Sequence, residues 1–241
     1  MSVFGRVEDI TAEEFDRIMR VNFLGHVHGV HAALPALRRA GGGGIIGVSS
    51  VEGVRSFPLQ APYAASKWAL RAFYDALRIE LAWDSAPITV STILPAAIDT
   101  PLFEHARSKL GAMPKPPPPV YAPEIVADAI VYTAERPRRE VVVGDAALGF
   151  VAAQQLSPAM TDVFMSIPLF GLARPEADRP DNGTDNLDAP MDEPGQVRGS
   201  YGGATLRYSP LTELLKHLPS PTTAISGAIS ALQRARPTSG R

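Results

Sequence analysis

The 241-residue sequence predicts an α/β fold built on a parallel sheet, and three observations carry that prediction. Short, largely apolar runs at Ile45–Ser49, Ile88–Leu94 and Val141–Val143 suit buried parallel strands. Helical patterns fill the intervals between them. The resulting strand–helix–strand–helix–strand rhythm is the mark of crossover connections between parallel strands.

The elements follow in order. Thr11 and Glu14 stand at capping-box spacing ahead of good helix formers. Phe15, Ile18, Met19 and Asn22, then Val30, Leu34 and Leu37, recur at three- and four-residue steps. They predict one long helix from Ala12 to Ala40, bent near Asn22–Gly25. Gly41–Gly44 stops it, and the Ile45–Ser49 strand comes next. Pro62 marks another helix start, with apolar helical periodicity from Tyr63 to Trp83. Ile88–Leu94 is a second strand, closed by Pro95. A helix from Ala122 to Glu135 and the Val141–Val143 strand complete the rhythm. The apolar stretch from Ala146 to Ala173 is interrupted by Gln154, Gln155, Pro158, Asp162 and Pro168. Two short helices fit it better than a membrane span, with an interfacial helix as the alternative.

After Arg174 the composition turns to Pro, Gly, Asp and Asn with little apolar periodicity. Residues 1–173 therefore read as one domain and 174–241 as a disordered or loosely attached tail. Within the tail, short helices are expected at Leu211–Leu218 and Thr223–Ala235. Asn182-Gly-Thr184 matches a glycosylation acceptor, read as a chance match because no signal peptide precedes it.

A net charge of −2 gives no electrostatic case for nucleic acid or an anionic membrane. The absence of Cys excludes disulfide and thiolate chemistry and fits the cytoplasm. His26, His28 and His31 cluster on a predicted helix but lack a matching acidic ligand, so no metal site is expected.

The chemistry concentrates at Tyr63-Ala-Ala-Ser-Lys67, which puts a phenol and an ammonium one helical turn apart on one face. A free tyrosine has a pKa of about 10, and a neighbouring Lys charge lowers it into the range of a general acid/base. Taken alone, the pair also suits an exposed Lys beside a half-buried Tyr. Ser50 lies thirteen residues earlier, at the C-terminal end of a strand, where open α/β sheets face their ligand crevice. Its plainer reading is a hydroxyl that caps local backbone.

Here the chain resembles the short-chain dehydrogenase/reductase family. The runs that carry the resemblance are Gly44-Ile-Ile-Gly-Val-Ser-Ser50-Val-Glu-Gly53 and Pro62-Tyr63-Ala-Ala-Ser-Lys67-Trp-Ala-Leu70. Val21-Asn22-Phe-Leu-Gly25 lies upstream and Leu94-Pro95-Ala-Ala-Ile-Asp-Thr100-Pro101 downstream. Their order and spacing match the family from Val3 to Gly144. The resemblance implies the C-terminal part of a Rossmann-like doubly wound sheet and an NAD- or NADP-dependent exchange between a secondary alcohol and a ketone. Tyr63 would be the general acid/base and Lys67 would lower its pKa and hold the nicotinamide ribose. Ser50 would polarise the substrate oxygen, and Asn22 would hold a water linking Lys67 to solvent. Pro95, Ile98 and Thr100 would hold the nicotinamide. Helices 12–40 and 63–83 would pair in a homo-oligomer.

Two departures qualify this. Ala96 stands where the family has Gly, which is harmless only if its φ is negative. Also, Gly41–Gly44 precedes a strand, whereas a phosphate loop needs strand, glycines, then helix N-terminus. The expectation is a truncated chain with a three-stranded sheet, the Ile45–Ser49 strand as an apolar edge, and poor cofactor binding. The alternative function is an inactive remnant that serves as a dimerisation module. The apolar loop with Leu102, Phe103, Leu110 and Met113 suggests a hydrophobic substrate, and Pro116–Pro119 a stiffened lid over it, with a proline-rich ligand for another module as the alternative.

Overall fold

The computed structural model describes residues 1–166 and 179–217, apart from 182, 184 and 193. The helix expected at Thr223–Ala235 and the Asn182-Gly-Thr184 match lie outside the described residues.

The chain runs β1 (Val3–Phe4), α1 (Ala12–Met19), a π-helical turn (Arg20–Leu24) and α2 (Gly25–Arg39). Then come β2 (Gly43–Val48), α3 (Ala61–Trp83), β3 (Ile88–Pro95), β4 (Arg107–Ser108) and β5 (Val120–Tyr121). The rest is α4 (Glu124–Glu135), β6 (Glu140–Val143), α5 (Asp145–Leu156), α6 (Pro158–Phe164), β7 (Thr205–Leu206) and α7 (Pro210–His217). The capping box predicted at Thr11 closes α1, with Glu14 N donating to Thr11 Oγ1 at 3.3 Å and Thr11 N to Glu14 Oε2 at 2.9 Å. Such a cap stabilises a helix by about 1 kcal/mol. A π turn stands where the bend was expected. One residue is wound in there, which rotates Asn22 into a buried position.

The main sheet has the order β2–β3–β6, all parallel, with β3 in the middle. Gly43 pairs with Ile88 and Val48 with Ile93 on one side of β3. On its other side, Thr92 pairs with Glu140 and Pro95 with Val143. Alternation along β3 splits the core between the two faces. Ile88 and Val90 join Val30, Leu70, Tyr74, Leu77 and Leu81 from α2 and α3. Ile93 faces the other way, with Val141, Val143 and Ala129 of α4. Each fully buried aliphatic side chain contributes roughly 1.5–3 kcal/mol. Helices therefore cover both faces of a parallel sheet, which is the Rossmann-like α/β arrangement. Gly47 makes this packing fit, because a Cβ on it would stand 1.9 Å from Cε2 of the buried Tyr74 ring.

The described residues after 178 are largely irregular, as expected, but they are not loosely attached. Arg107 pairs with Asp185 at 2.8 Å and Asp188 at 2.6 Å, while also reaching Glu14 at 3.3 Å. Leu187 is buried against Val3, Ile10 and Ile18. β7 pairs with β5, and α7 packs on β6, where Thr212 Oγ1 accepts from Gly144 N at 3.0 Å. Composition hid this because the docking rests on scattered contacts, the Arg107 ion pairs, Leu187, a two-residue strand pairing and Thr212, and not on periodic apolar content. No helix among the described residues is long and apolar enough to cross a membrane.

Candidate active site

Three segments converge at the C-terminal ends of β2 and β3. β2 ends at Val48, and Ser49 N still donates to Ile93 O at 2.9 Å. Ser50 then caps a 3-10 turn, Val51–Gly53, its Oγ accepting from Glu52 N at 3.1 Å. The plain capping role is therefore real, but a hydroxyl that accepts one bond still has its own hydrogen to donate. The turn lies against α3, because Gly53 has no Cβ to strike the Lys67 carbonyl oxygen. Tyr63 sits in the first turn of α3, and Lys67 one turn on, its Nζ 5.4 Å from the Tyr63 ring centroid. Lys67 Nζ donates to Val48 O at 3.2 Å, tying the helix to the strand end.

Opposite stands the segment after β3. Ala96 N donates to Val143 O at 2.8 Å, Tyr121 N to Ala97 O at 2.9 Å and Asp99 N to Tyr121 O at 2.9 Å. Ala96 is not among the non-glycine residues with positive φ, so alanine here carries no backbone strain. Between the two sides is a cavity of about 410 Å³, within the size range of small-ligand sites. Ser50, Tyr63, Lys67, Pro95, Ile98 and Thr100 all line it, and Leu102, Phe103, Val126 and Ile130 give it apolar walls. Pro117 also lines it, while Leu110 and Met113 of the expected apolar loop do not.

Asn22 is the site residue that the structure does not bring to this cavity. Its Nδ2 donates to Met1 O at 2.8 Å and to Ser66 Oγ at 3.2 Å, and Ser66 Oγ donates to Tyr63 O at 2.7 Å. Its contact with α3 therefore runs through Ser66. His26 Nδ1 meets Tyr74 OH at 2.9 Å, while His28 and His31 are exposed.

The sequence reading missed Glu52, which also lines the cavity. Burial pushes its carboxyl up to about 8, partly offset by the Phe57 amide and the Lys67 charge. Burial also brings Lys67 down to about 8, with Glu52 opposing. Tyr63 corrects an expectation, because its phenol is raised, not lowered. Burial is the main cause, the Glu52 charge adds to it, and the Ser50 hydroxyl opposes it. The available signal was a lone acid between Val51 and Gly53, in a turn immediately after Ser50.

Residues 1–111 match the family model for short chain dehydrogenases. That part of the chain is a short-chain dehydrogenase/reductase segment. The chain is 36% identical over 184 residues to the protein named "Uncharacterized oxidoreductase YxnA" of Bacillus subtilis (strain 168), covering 76% of this chain and 51% of that one. Bovine "Dehydrogenase/reductase SDR family member 7B" is 34% identical over 149 residues, 60% of this chain and 45% of that one. The chain spans about half the length of these curated relatives. A short chain dehydrogenase from Burkholderia cenocepacia J2315, solved in complex with NADP, superposes with a TM-score of 0.58 at 26% identity. That match covers 70% of this chain and 67% of the other.

Proposed function

We propose that this chain is the catalytic part of an NAD(P)-dependent oxidoreductase that interconverts a secondary alcohol and a ketone. The observation that carries the reading is the single cavity lined by Ser50, Tyr63 and Lys67 on one side and Pro95, Ile98 and Thr100 on the other. The same residues would hold the nicotinamide end of a dinucleotide, Lys67 its ribose and the Pro95–Thr100 segment its carboxamide. The NADP in the Burkholderia relative supports this choice of cofactor. When bound, the nicotinamide supplies the hydride.

In reduction, Ser50 Oγ–H donates a hydrogen bond to the substrate carbonyl oxygen. Tyr63 gives its phenolic proton to that oxygen as the carbon takes the hydride, leaving an alcohol and a tyrosinate. Lys67 steadies the tyrosinate by its charge. Burial holds the Tyr63 proton on at neutral pH, which is the form that acts as the acid in reduction. Asn22 would act on this machinery through Ser66 and the first turn of α3. The substrate has a mainly apolar body, matched to Leu102, Phe103 and Ile130.

A second reading, a non-catalytic module that pairs through the helices at 12–39 and 61–83, is favoured by two observations. Val21, Leu24, Trp68, Ile79 and Trp83 are exposed on those helices. Among the described residues no glycine-rich turn joins a strand to a helix N-terminus. At the strand–Gly144–α5 junction the first-turn residue is acidic, Asp145, which disfavours a phosphate. Cofactor affinity of the chain itself is therefore expected to be weak, whereas a cytoplasmic nicotinamide pool would suit the first reading. The discriminating experiment supplies NADPH or NADH with an apolar methyl ketone and looks for the alcohol by mass spectrometry. Alcohol formed in proportion to cofactor consumed supports the oxidoreductase; a stable dimer with no product supports the module.

A further inference from the structure

Glu52 is the one acidic side chain lining the cavity among the described residues, and the proton transfer above does not use it. It is 6% exposed, and its Oε2 has no hydrogen-bond partner among the described residues. A buried carboxyl with an idle oxygen is costly, and the surrounding turn holds it there firmly. Glu52 N is tied to Ser50 Oγ at 3.1 Å, and Gly53 N to Ser50 O at 3.0 Å. Gly53 itself is pressed on the Lys67 carbonyl. Glu52 therefore shares one rigid turn with Ser50 and one cavity with Tyr63, and Val51, Phe57, Phe103 and Ile130 are among the apolar residues of that cavity.

We propose that Glu52 is a specificity residue whose idle oxygen shares a hydrogen bond with a hydroxyl that the substrate carries beside its reacting carbonyl. The substrates are then hydroxyketones and their diol products. This deepens the oxidoreductase reading and rests on it. A hydroxyl is favoured over an ammonium because Lys67 lines the same cavity and faces the carboxyl with its own positive charge. A second cation there would meet like-charge repulsion. Burial also keeps Glu52 largely uncharged at neutral pH, and a neutral carboxyl suits a neutral partner. The plainer role, holding the Phe57 amide, occupies at most one of the two oxygens.

The test measures binding of three ligands on one scaffold to the full chain by calorimetry: acetophenone, phenacyl alcohol and phenacylamine. The wild-type chain should bind phenacyl alcohol about ten-fold or more tightly than acetophenone, and phenacylamine no better than acetophenone. Glu52→Gln, whose side-chain amide can still bond a hydroxyl, should keep most of this preference, and Glu52→Met should lose it without losing affinity for acetophenone. Equal binding of the ketone pair by the wild-type chain, or binding of neither, overturns the proposal even if a variant fails to fold. So does a preference that survives Glu52→Met. Tighter binding of phenacylamine overturns the hydroxyl class in favour of an amine. No hydride moves in this assay, so a chain that shows the preference without turnover fails only the oxidoreductase reading. Turnover of both ketones with equal kcat/KM and no preference fails only this one.

Discussion

Gly53 packs so closely on Lys67 that a Cβ added to it would stand 2.8 Å from the Lys67 carbonyl oxygen. Ser49 Oγ, which donates to that carbonyl at 3.1 Å, would be just as near the new atom, at 2.8 Å. Strand end, turn and helix meet there, and the spacing between Ser50 and Tyr63 depends on the contact. Gly53→Ala should therefore cost about 1–3 kcal/mol in urea unfolding. It should also lower ligand affinity in the cavity by displacing Ser50 and Glu52. An unchanged unfolding midpoint would mean the turn can shift freely.

Gly47 poses the same constraint inside β2, with Tyr74 as the obstacle. Gly47→Ala should destabilise by about 3 kcal/mol or more, since a ring must leave a close-packed core. Adding Tyr74→Leu should recover part of that loss, which a double-mutant cycle on thermal unfolding reads directly. No recovery would place the strain elsewhere.

Both contacts bear on how much of the molecule the sequence disclosed. Helices were legible because residues such as Leu70, Leu77 and Leu81 recur at helical steps, and strands because Ile45–Ser49 and Ile88–Leu94 are short, largely apolar runs. Six of the seven expected site residues meet at one cavity because they sit at element ends, which topology fixes. Asn22 escapes that logic, since the π turn redirects it by a single residue and periodicity cannot register so local a change. The Tyr63 shift was illegible for another reason. It arises from burial and from Glu52, a residue of a neighbouring turn whose direction no motif specifies.

Arg107 ties the irregular segment to the domain through Asp185, Asp188 and Glu14. Arg107→Gln should loosen that segment at a cost of about 1–2 kcal/mol, as partly buried charge-assisted bonds are lost. Faster amide exchange around Asn186 and Leu187, with β3 unchanged, is the expected pattern. Uniformly faster exchange would show that the segment holds the whole fold together.

Glu52 gives stability a distinct pH signature. Its carboxyl rises from an ordinary 4.5 to about 8 on folding, with burial the main cause. The folded chain therefore holds this proton more tightly than the unfolded one. The contribution is fully present below about pH 4.5 and is lost as pH rises through about 8. Lys67 is shifted the other way, from 10.5 down to about 8, and adds stability as pH rises above that range. Glu52→Gln cannot ionise, so its stability relative to wild type should improve steadily between about pH 5 and about pH 8. A constant difference across that range would mean Glu52 is not the buried acid described.

The central claim, that Tyr63 is the proton donor in this cavity, is tested most directly by ketone-dependent NADPH oxidation in wild type and Tyr63→Phe at saturating cofactor. Phenylalanine keeps the ring in its place on α3 and removes only the hydroxyl. The account predicts a loss of about a hundred-fold or more in kcat with little change in cofactor affinity. Turnover by Tyr63→Phe within a few-fold of wild type would contradict it.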